Sequence, residues 1–191
     1  MANIVNQINV YLSGGHSTDP NEDRGASGNG LIEGIEAYKL ARDVQNTLSR
    51  TYTKGKVVLD KEDTILKETL AAFSRLVFLP DLAIEFHFNA SDNLKATGVE
   101  VLIPDVYGVV EKRVATKLAE TMSQTMLLAS RGVKTEAQSA RGKLGWMRMN
   151  CNNILIEVCF LSNANDVSAY KKSYNRLVQA IVDVINTDPL K

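Results

Sequence analysis

A chain of 191 residues with 22 basic and 22 acidic side chains has no net charge to draw it to nucleic acid or to an anionic membrane surface. Its 45% hydrophobic and 23% charged residues exclude a disordered chain, and no apolar run is long enough to cross a bilayer. The length suits one domain, residues 1–191, with a substantial core.

The opening stretch MANIVNQINVYL has neither a basic leader nor a small-residue cleavage site, so synthesis in the cytoplasm without an export signal is expected. Ile8 to Leu12 reads as a first buried strand, and Ser13-Gly14-Gly15-His16 follows with glycines that allow a sharp turn. His16 therefore stands at the C-terminal mouth of a strand, where open α/β sheets bind their ligands. Ser17 to Gly30, rich in Gly, Asp, Asn and Ser, reads as one long loop. From about Leu31 to the Thr47–Arg50 region the spacing predicts a helix with Ile32, Ile35, Leu40, Val44 and Leu48 as its apolar stripe. Glu33 falls in the first turn, where the helix dipole alone is reason enough for a carboxylate.

Lys56 to Asp60 predicts a short second strand, and Asp63 is the expected cap of a helix reaching about Val77, with Ile65, Leu66, Leu70, Phe73 and Val77 inward. Leu82 to Ala90 (LAIEFHFNA) is the third strand, and alternation places Ile84, Phe86 and Phe88 on one face and Glu85, His87 and Asn89 on the other. Gly98 to Ile103 predicts a fourth strand, and Gly108 to Ser130 a helix with Val110, Val114, Leu118, Met122 and Met126 inward. Arg131 to Arg148 reads as irregular and basic, with Arg131, Lys134, Arg141, Lys143 and Arg148 against Glu136 alone. Asn152 to Asn163 (NNILIEVCFLSN) is a buried strand and its exit turn, followed by a helix from Asn165 or Asp166 to about Ile185. Alternating strands and helices give an α/β fold: a twisted, mostly parallel sheet of about five or six strands with helices on both faces.

Three features carry chemistry. Glu157 interrupts the apolar run of the last strand, where an ionised carboxylate is costly to bury without a cationic partner. The chain has only two histidines, His16 and His87, one after Gly14-Gly15 and one within a polar row. A lone strand histidine is more often a satisfied structural residue than a ligand, but two histidines plus a glutamate is a known catalytic zinc set, with a further glutamate for proton transfer. Cys151 and Cys159 lie at the two ends of the last strand, roughly 26 Å apart at about 3.3 Å per residue, so they are expected as free, buried thiols. Alternation would put Cys159 on the Glu157 face, a minor candidate for metal ligation.

Several islands in one order resemble the zinc-dependent N-acetylmuramoyl-L-alanine amidases of phage endolysins and bacterial autolysins. They are Gly15-His16, Gly30-Leu31-Ile32-Glu33, His87-Phe88-Asn89-Ala90-Ser91, Arg131-Gly132-Val133-Lys134 and Ile156-Glu157-Val158-Cys159-Phe160-Leu161-Ser162-Asn163, and they span nearly the whole chain. The resemblance implies a phosphorylase/hydrolase-like fold, Zn2+ held by His16, Glu33 and His87, and Glu157 as general acid/base. Glu36, one helical turn on, is the rival of Glu33; aligning Glu33 also places Ala41 where that family's helix has a small residue. The sequence departs from the family at Glu85, where a serine or similar small residue is usual, and in the long loop around Asp19 to Ser27.

The implied reaction is hydrolysis of the amide between N-acetylmuramic acid and L-alanine in peptidoglycan, with Asn89, Arg141 and Lys143 as substrate-binding residues, the two cations meeting stem-peptide carboxylates. The alternatives are a zinc peptidase cutting another bond of the wall peptide, and a non-catalytic peptidoglycan-binding module on the same fold. The presence of all four candidate residues favours the enzyme. The expected setting is a catalytic domain without a separate wall-binding domain, acting on the wall after release as phage lysins do. Peptidoglycan is then the expected partner, with no nucleic acid and no stable membrane association, and the pattern specifies no oligomeric state.

Overall fold

The computed structural model describes residues 7–188 and 190; Met1 to Asn6, the first half of the stretch read for an export leader, lie outside them. The chain runs through β1 (Val10–Gly14), a small hairpin of β2 (Ser27–Gly28) and β3 (Leu31–Ile32), α1 (Glu33–Leu48), β4 (Val57–Leu59) and α2 (Leu66–Phe73). It continues with β5 (Leu82–Asn89), β6 (Val99–Ile103), α3 (Val109–Met126), β7 (Ser130–Thr135), β8 (Asn152–Phe160) and α4 (Ala164–Thr187). Six strands form one sheet in the order β4–β1–β5–β8–β6–β7. All neighbouring pairs are parallel except β6 with β8, so β6 and β7 run against the other four.

Both faces of the sheet are covered, as expected, but unequally. Val10, Leu12, Ile84, Phe86, Val101, Ile154 and Ile156 pack against the three long helices α1, α3 and α4. Each such side chain, fully buried, contributes about 1.5–3 kcal/mol. On the opposite face Tyr11, Ala83, Leu102 and Leu155 form a smaller cluster with Phe73 and Val77, a 3-10 turn bearing Trp146 and Met147, and Met149 and Cys151 beyond it. That thinner cover leaves the C-terminal ends of β1, β5 and β8 open, and the site lies there.

Several boundaries differ from the sequence reading. On α1 the expected Leu40, Val44 and Leu48 are buried, but Gly34, Ala37 and Ala41 share that inward face and Ile35 is 39% exposed, because the start of the helix packs close to the sheet. A Cβ on Gly14 of β1 would fall 2.7 Å from the Tyr38 backbone nitrogen, which measures that closeness. The second helix, Leu66–Phe73, has Ile65 rather than Asp63 at its N-cap and stops short of Val77, and the missing side-chain cap is replaced by the Glu68 carboxylate reaching back to the Ile65 N–H at 3.4 Å. Arg131 to Thr135, read as irregular, belongs to edge strand β7, where one face is solvated and charged residues are tolerated.

The C-terminal end of α4 is fastened electrostatically. Asp188, fully buried, accepts Arg113 Nε and Nη2 at 3.0 and 2.7 Å and Lys117 Nζ at 3.0 Å. Burial alone would raise its pKa, but the Arg113 fork, the Leu190 N–H and Lys117 outweigh that and hold it well below the usual carboxylate range. A carboxylate whose pKa falls on folding adds stability above its unfolded value of about 4 and loses it as pH falls through the folded value. Asp188→Ala is therefore expected to cost about 2–3 kcal/mol at pH 7, less than a fully buried pair because both cations can rehydrate. Denaturant melts at several pH values check this: the deficit should shrink from pH 5 towards pH 2, and an unchanged midpoint at pH 7 would refute it.

Candidate active site

Parallel pairing aligns the site. Ser13 is level with Glu85 across β1 and β5, His87 with Glu157 across β5 and β8, and Glu157 with Glu100 of β6. Level residues on adjacent strands share a face, so the polar row foreseen on β5 continues across the sheet, on the face away from the long helices. A cleft of about 780 Å³ opens over it, walled by Ile65, Leu66, Leu144 and Trp146.

The loop after β1 brings two more residues to this row. It folds back on the start of α1, whose first amides, Glu33 N–H and Gly34 N–H, donate to the carbonyls of Ala26 and Arg24 at 2.9 and 3.0 Å. The helix thus begins with no side-chain cap and its end is fixed by the loop instead. Glu33 points into the site: Oε1 accepts the Phe88 N–H at 3.0 Å and lies 2.9 Å from His87 Nδ1, while Oε2 accepts the Ala26 N–H at 2.8 Å and lies 3.6 Å from His16 Nε2. Burial pushes the Glu33 pKa up, but the His87 hydrogen bond and charge, with His16, hold it below its ordinary value. The His16 and His87 rings meet edge to face at 5.0 Å between centroids.

One donor atom from each of His16, Glu33 and His87 lies within 4.8 Å of the others. Two imidazoles and a carboxylate converging in this way fit a zinc ion with one position left open. The rival Glu36 is turned elsewhere, accepting the Tyr170 hydroxyl at 3.1 Å and facing Lys39 at 3.5 Å.

Glu157 and Glu100 pose the same question, a carboxylate in an apolar strand, and the structure answers it differently for each. Glu100 is matched by Arg131 Nε at 2.8 Å and Lys134 Nζ at 2.5 Å. Glu157 Oε2 is buried with no hydrogen-bond partner among the described residues. Burial foremost pushes the Glu157 carboxyl up to about 7; Glu33, Glu100 and Glu85 add to this and His87 opposes it. A carboxyl poised there can both take and return a proton near neutral pH.

Asn89 and Arg141 line the cleft; Lys143 is exposed and is not among its lining residues. Both cysteines are free and buried, as expected, but Cys159 does not share the Glu157 face. From His87 to Asn89 β5 advances two residues while β8 advances three, from Glu157 to Phe160. This bulge turns Cys159 into the core under the long helices beside Val158. Burial raises both thiol pKa values, that of Cys151 to about 12, as expected of inert, core-filling thiols.

The sequence reading missed three polar groups here. Asp23 Oδ2 lies 3.3 Å from His16 Nδ1, and no spacing in its loop signals it. Asp60 accepts the Ser13 and Thr69 hydroxyls at 2.5 and 3.2 Å, and burial foremost pushes it up to about 7. Glu100 was legible by the logic that singled out Glu157, an acid inside GVEVLI.

The sequence profile of the N-acetylmuramoyl-L-alanine amidase family matches residues 10–187. The chain is 27% identical over 177 residues to the N-acetylmuramoyl-L-alanine amidase LytC of Bacillus subtilis, covering 91% of this chain and 34% of that one. It therefore spans about a third of the length of that curated relative. Its fold is shared with an N-acetylmuramoyl-L-alanine amidase from Clostridium difficile 630, at TM-score 0.74 and 23% identity over 94% of this chain and 95% of that one. The catalytic domain of the CD27L endolysin targeting Clostridia difficile is likewise similar, at TM-score 0.70 and 23% identity, covering 94% and 97% of the two chains.

Proposed function

The chain belongs to the N-acetylmuramoyl-L-alanine amidase family, matched over residues 10–187, and from that footing we propose that it hydrolyses the amide joining N-acetylmuramic acid to L-alanine in peptidoglycan, with zinc as cofactor. The observation that supports this reading best is the meeting, in one cleft, of the His16, Glu33 and His87 donors with an unpartnered, buried Glu157. His16, Glu33 and His87 would hold the ion. When bound, zinc supplies a Lewis acid that brings the pKa of a water towards about 7 and polarises the scissile carbonyl.

The rest is the work of the protein's own side chains. Glu157, ionised, takes a proton at Oε2 from the attacking water and then gives it to the departing alanine nitrogen. Because Oε2 has no competing donor among the described residues, that proton exchange disturbs no hydrogen bond described there. Glu33 is held by two backbone amides, so it can stay charged and oriented while the histidines serve as neutral donors. Leu66 and Trp146 wall the cleft and keep bulk water from the reacting amide. Arg141, on the rim, would meet a stem-peptide carboxylate, with Asn89 offering an amide to the glycan or peptide.

In a lysin-like setting the chain would reach the wall once the membrane has failed. No helix among the described residues is long and apolar enough to cross a membrane.

End-group analysis of digested peptidoglycan tests the proposal. New N-terminal alanine, with no new reducing sugar, is the expected product, and Arg141→Ala should raise KM more than it lowers kcat. Release of a different amino group would indicate a peptidase, and wall binding without any product a non-catalytic module; either result overturns the proposal.

A further inference from the structure

We propose that Glu85 is a positioning residue of the metal centre, whose carboxylate accepts the Nε2–H of His87 and so dictates that Nδ1 is the ligand nitrogen. This rests on the zinc reading above and adds to it a residue outside the three-donor group.

The two ring nitrogens of His87 face two different carboxylates. Nδ1 lies 2.9 Å from Glu33 Oε1, on the side where the His16, Glu33 and His87 donors converge. Nε2 lies 3.2 Å from Glu85 Oε2, and Glu85 is not one of the converging donors. A neutral imidazole has one N–H and one lone pair, and an ionised carboxylate can only accept. With Glu85 taking the hydrogen at Nε2, the lone pair is left on Nδ1, aimed at the site.

The backbone leaving β1 also fixes the plane of this ring. A Cβ built on Gly15 would lie 1.9, 2.1 and 2.4 Å from Nε2, Cε1 and Cδ2, so that backbone lies against the face of the imidazole. The Gly15 N–H donates to the Phe86 carbonyl at 2.8 Å, which holds it there. Glycine is thus required at position 15 by the ring it covers.

The burial of Glu85 makes the same point from the other side. It is 2% exposed, and among the described residues its ion pair is with His87, with no lysine or arginine. A buried carboxylate without a fixed cation is costly. A metal-bound imidazole, which carries part of the ion's charge to Nε2–H, is the counter-charge this position lacks. In return the carboxylate orients the ring and makes Nδ1 a stronger donor.

Zinc affinity measured by competition with a chromogenic chelator, on wild type, Glu85→Gln, Glu85→Leu and His16→Ala, tests this. Loss of such an outer partner weakens metal binding by about 10–100-fold, and Glu85→Gln, which keeps the shape, is expected within that range. Glu85→Leu should be at least as weak, and should Leu fail to fold, Gln alone decides. Imidazole 15N–1H spectra of the zinc-loaded proteins supply a readout that packing alone would not move. The His87 Nε2–H proton should be far downfield in wild type and shift upfield in Glu85→Gln, with His16 unchanged. An unchanged zinc Kd in the folded variants, or a His87 ring protonated at Nδ1 and bound through Nε2, overturns the proposal and leaves the zinc reading intact. Equal zinc binding by wild type and His16→Ala overturns the zinc reading itself.

Discussion

Glutamine at position 157 is expected to leave the fold and the bound zinc in place while removing at least about a hundredfold of the hydrolytic rate, the ordinary yield of a positioned general base. The side chain lies on β8 level with His87, its Oε2 buried and unpartnered, so the amide fits the same space and costs no existing hydrogen bond. Nor should stability suffer. Glu33, Glu85 and Glu100 all bear on Glu157 and raise its pKa, so a neutral side chain relieves repulsion, and the melting temperature should hold or rise. The pH profile supplies the sign. A base works when ionised, so kcat/KM should climb as pH rises through the Glu157 pKa. That pKa is about 7 without a cation and is drawn lower by the positive charge of one beside it. In Glu157→Gln that acid limb should vanish along with the rate. Steady-state kinetics on purified wall from pH 4 to 9, with zinc content measured alongside, decide it; a variant within a few-fold of wild type would remove Glu157 from the chemistry.

Stripping zinc should be equally damaging and should also soften the protein. Without the ion the site holds Glu33, Glu85, Glu100 and Glu157 close together, with two histidines and the cations on Glu100 as counter-charge. A ligand present at about a thousand times its Kd stabilises the state it binds by about 4 kcal/mol. For a domain of this length that corresponds to a rise in Tm of about 10 °C. Chelation should therefore abolish activity and lower the Tm by that amount, zinc should restore both, and His16→Ala should show neither the shift nor the rescue. Full activity in protein verified to be free of zinc and other divalent metals would refute the metal requirement.

Much of this was already legible along the chain. Strand alternation separates Glu85, His87 and Asn89 from Ile84, Phe86 and Phe88 with no knowledge of neighbours, because a pleated strand sends successive side chains to opposite faces. Glu157 announces itself by interrupting an apolar run. The same signal at Glu100 could not be told apart, since what distinguishes the two is whether a cation stands opposite, and Arg131 and Lys134 reach Glu100 from another strand. Edge strand β7 was missed because charged residues and Gly132 carry no apolar period.

What the local pattern determined by itself is the α/β architecture, the polar row on its third long strand and the short set of acids and histidines able to do chemistry. Tertiary structure alone separates the surroundings of Glu33 and Glu36, which share a helix one turn apart: the first meets His87 and the Phe88 amide, the second Tyr170 of α4. It also turned Cys159 into the core through one extra residue in β8, and set Glu85 against the far nitrogen of His87. The physical reason is common to all three. Periodicity governs which way a side chain leaves its own strand or helix, whereas a carboxylate's partner is set by what another segment, many residues away, presses against it.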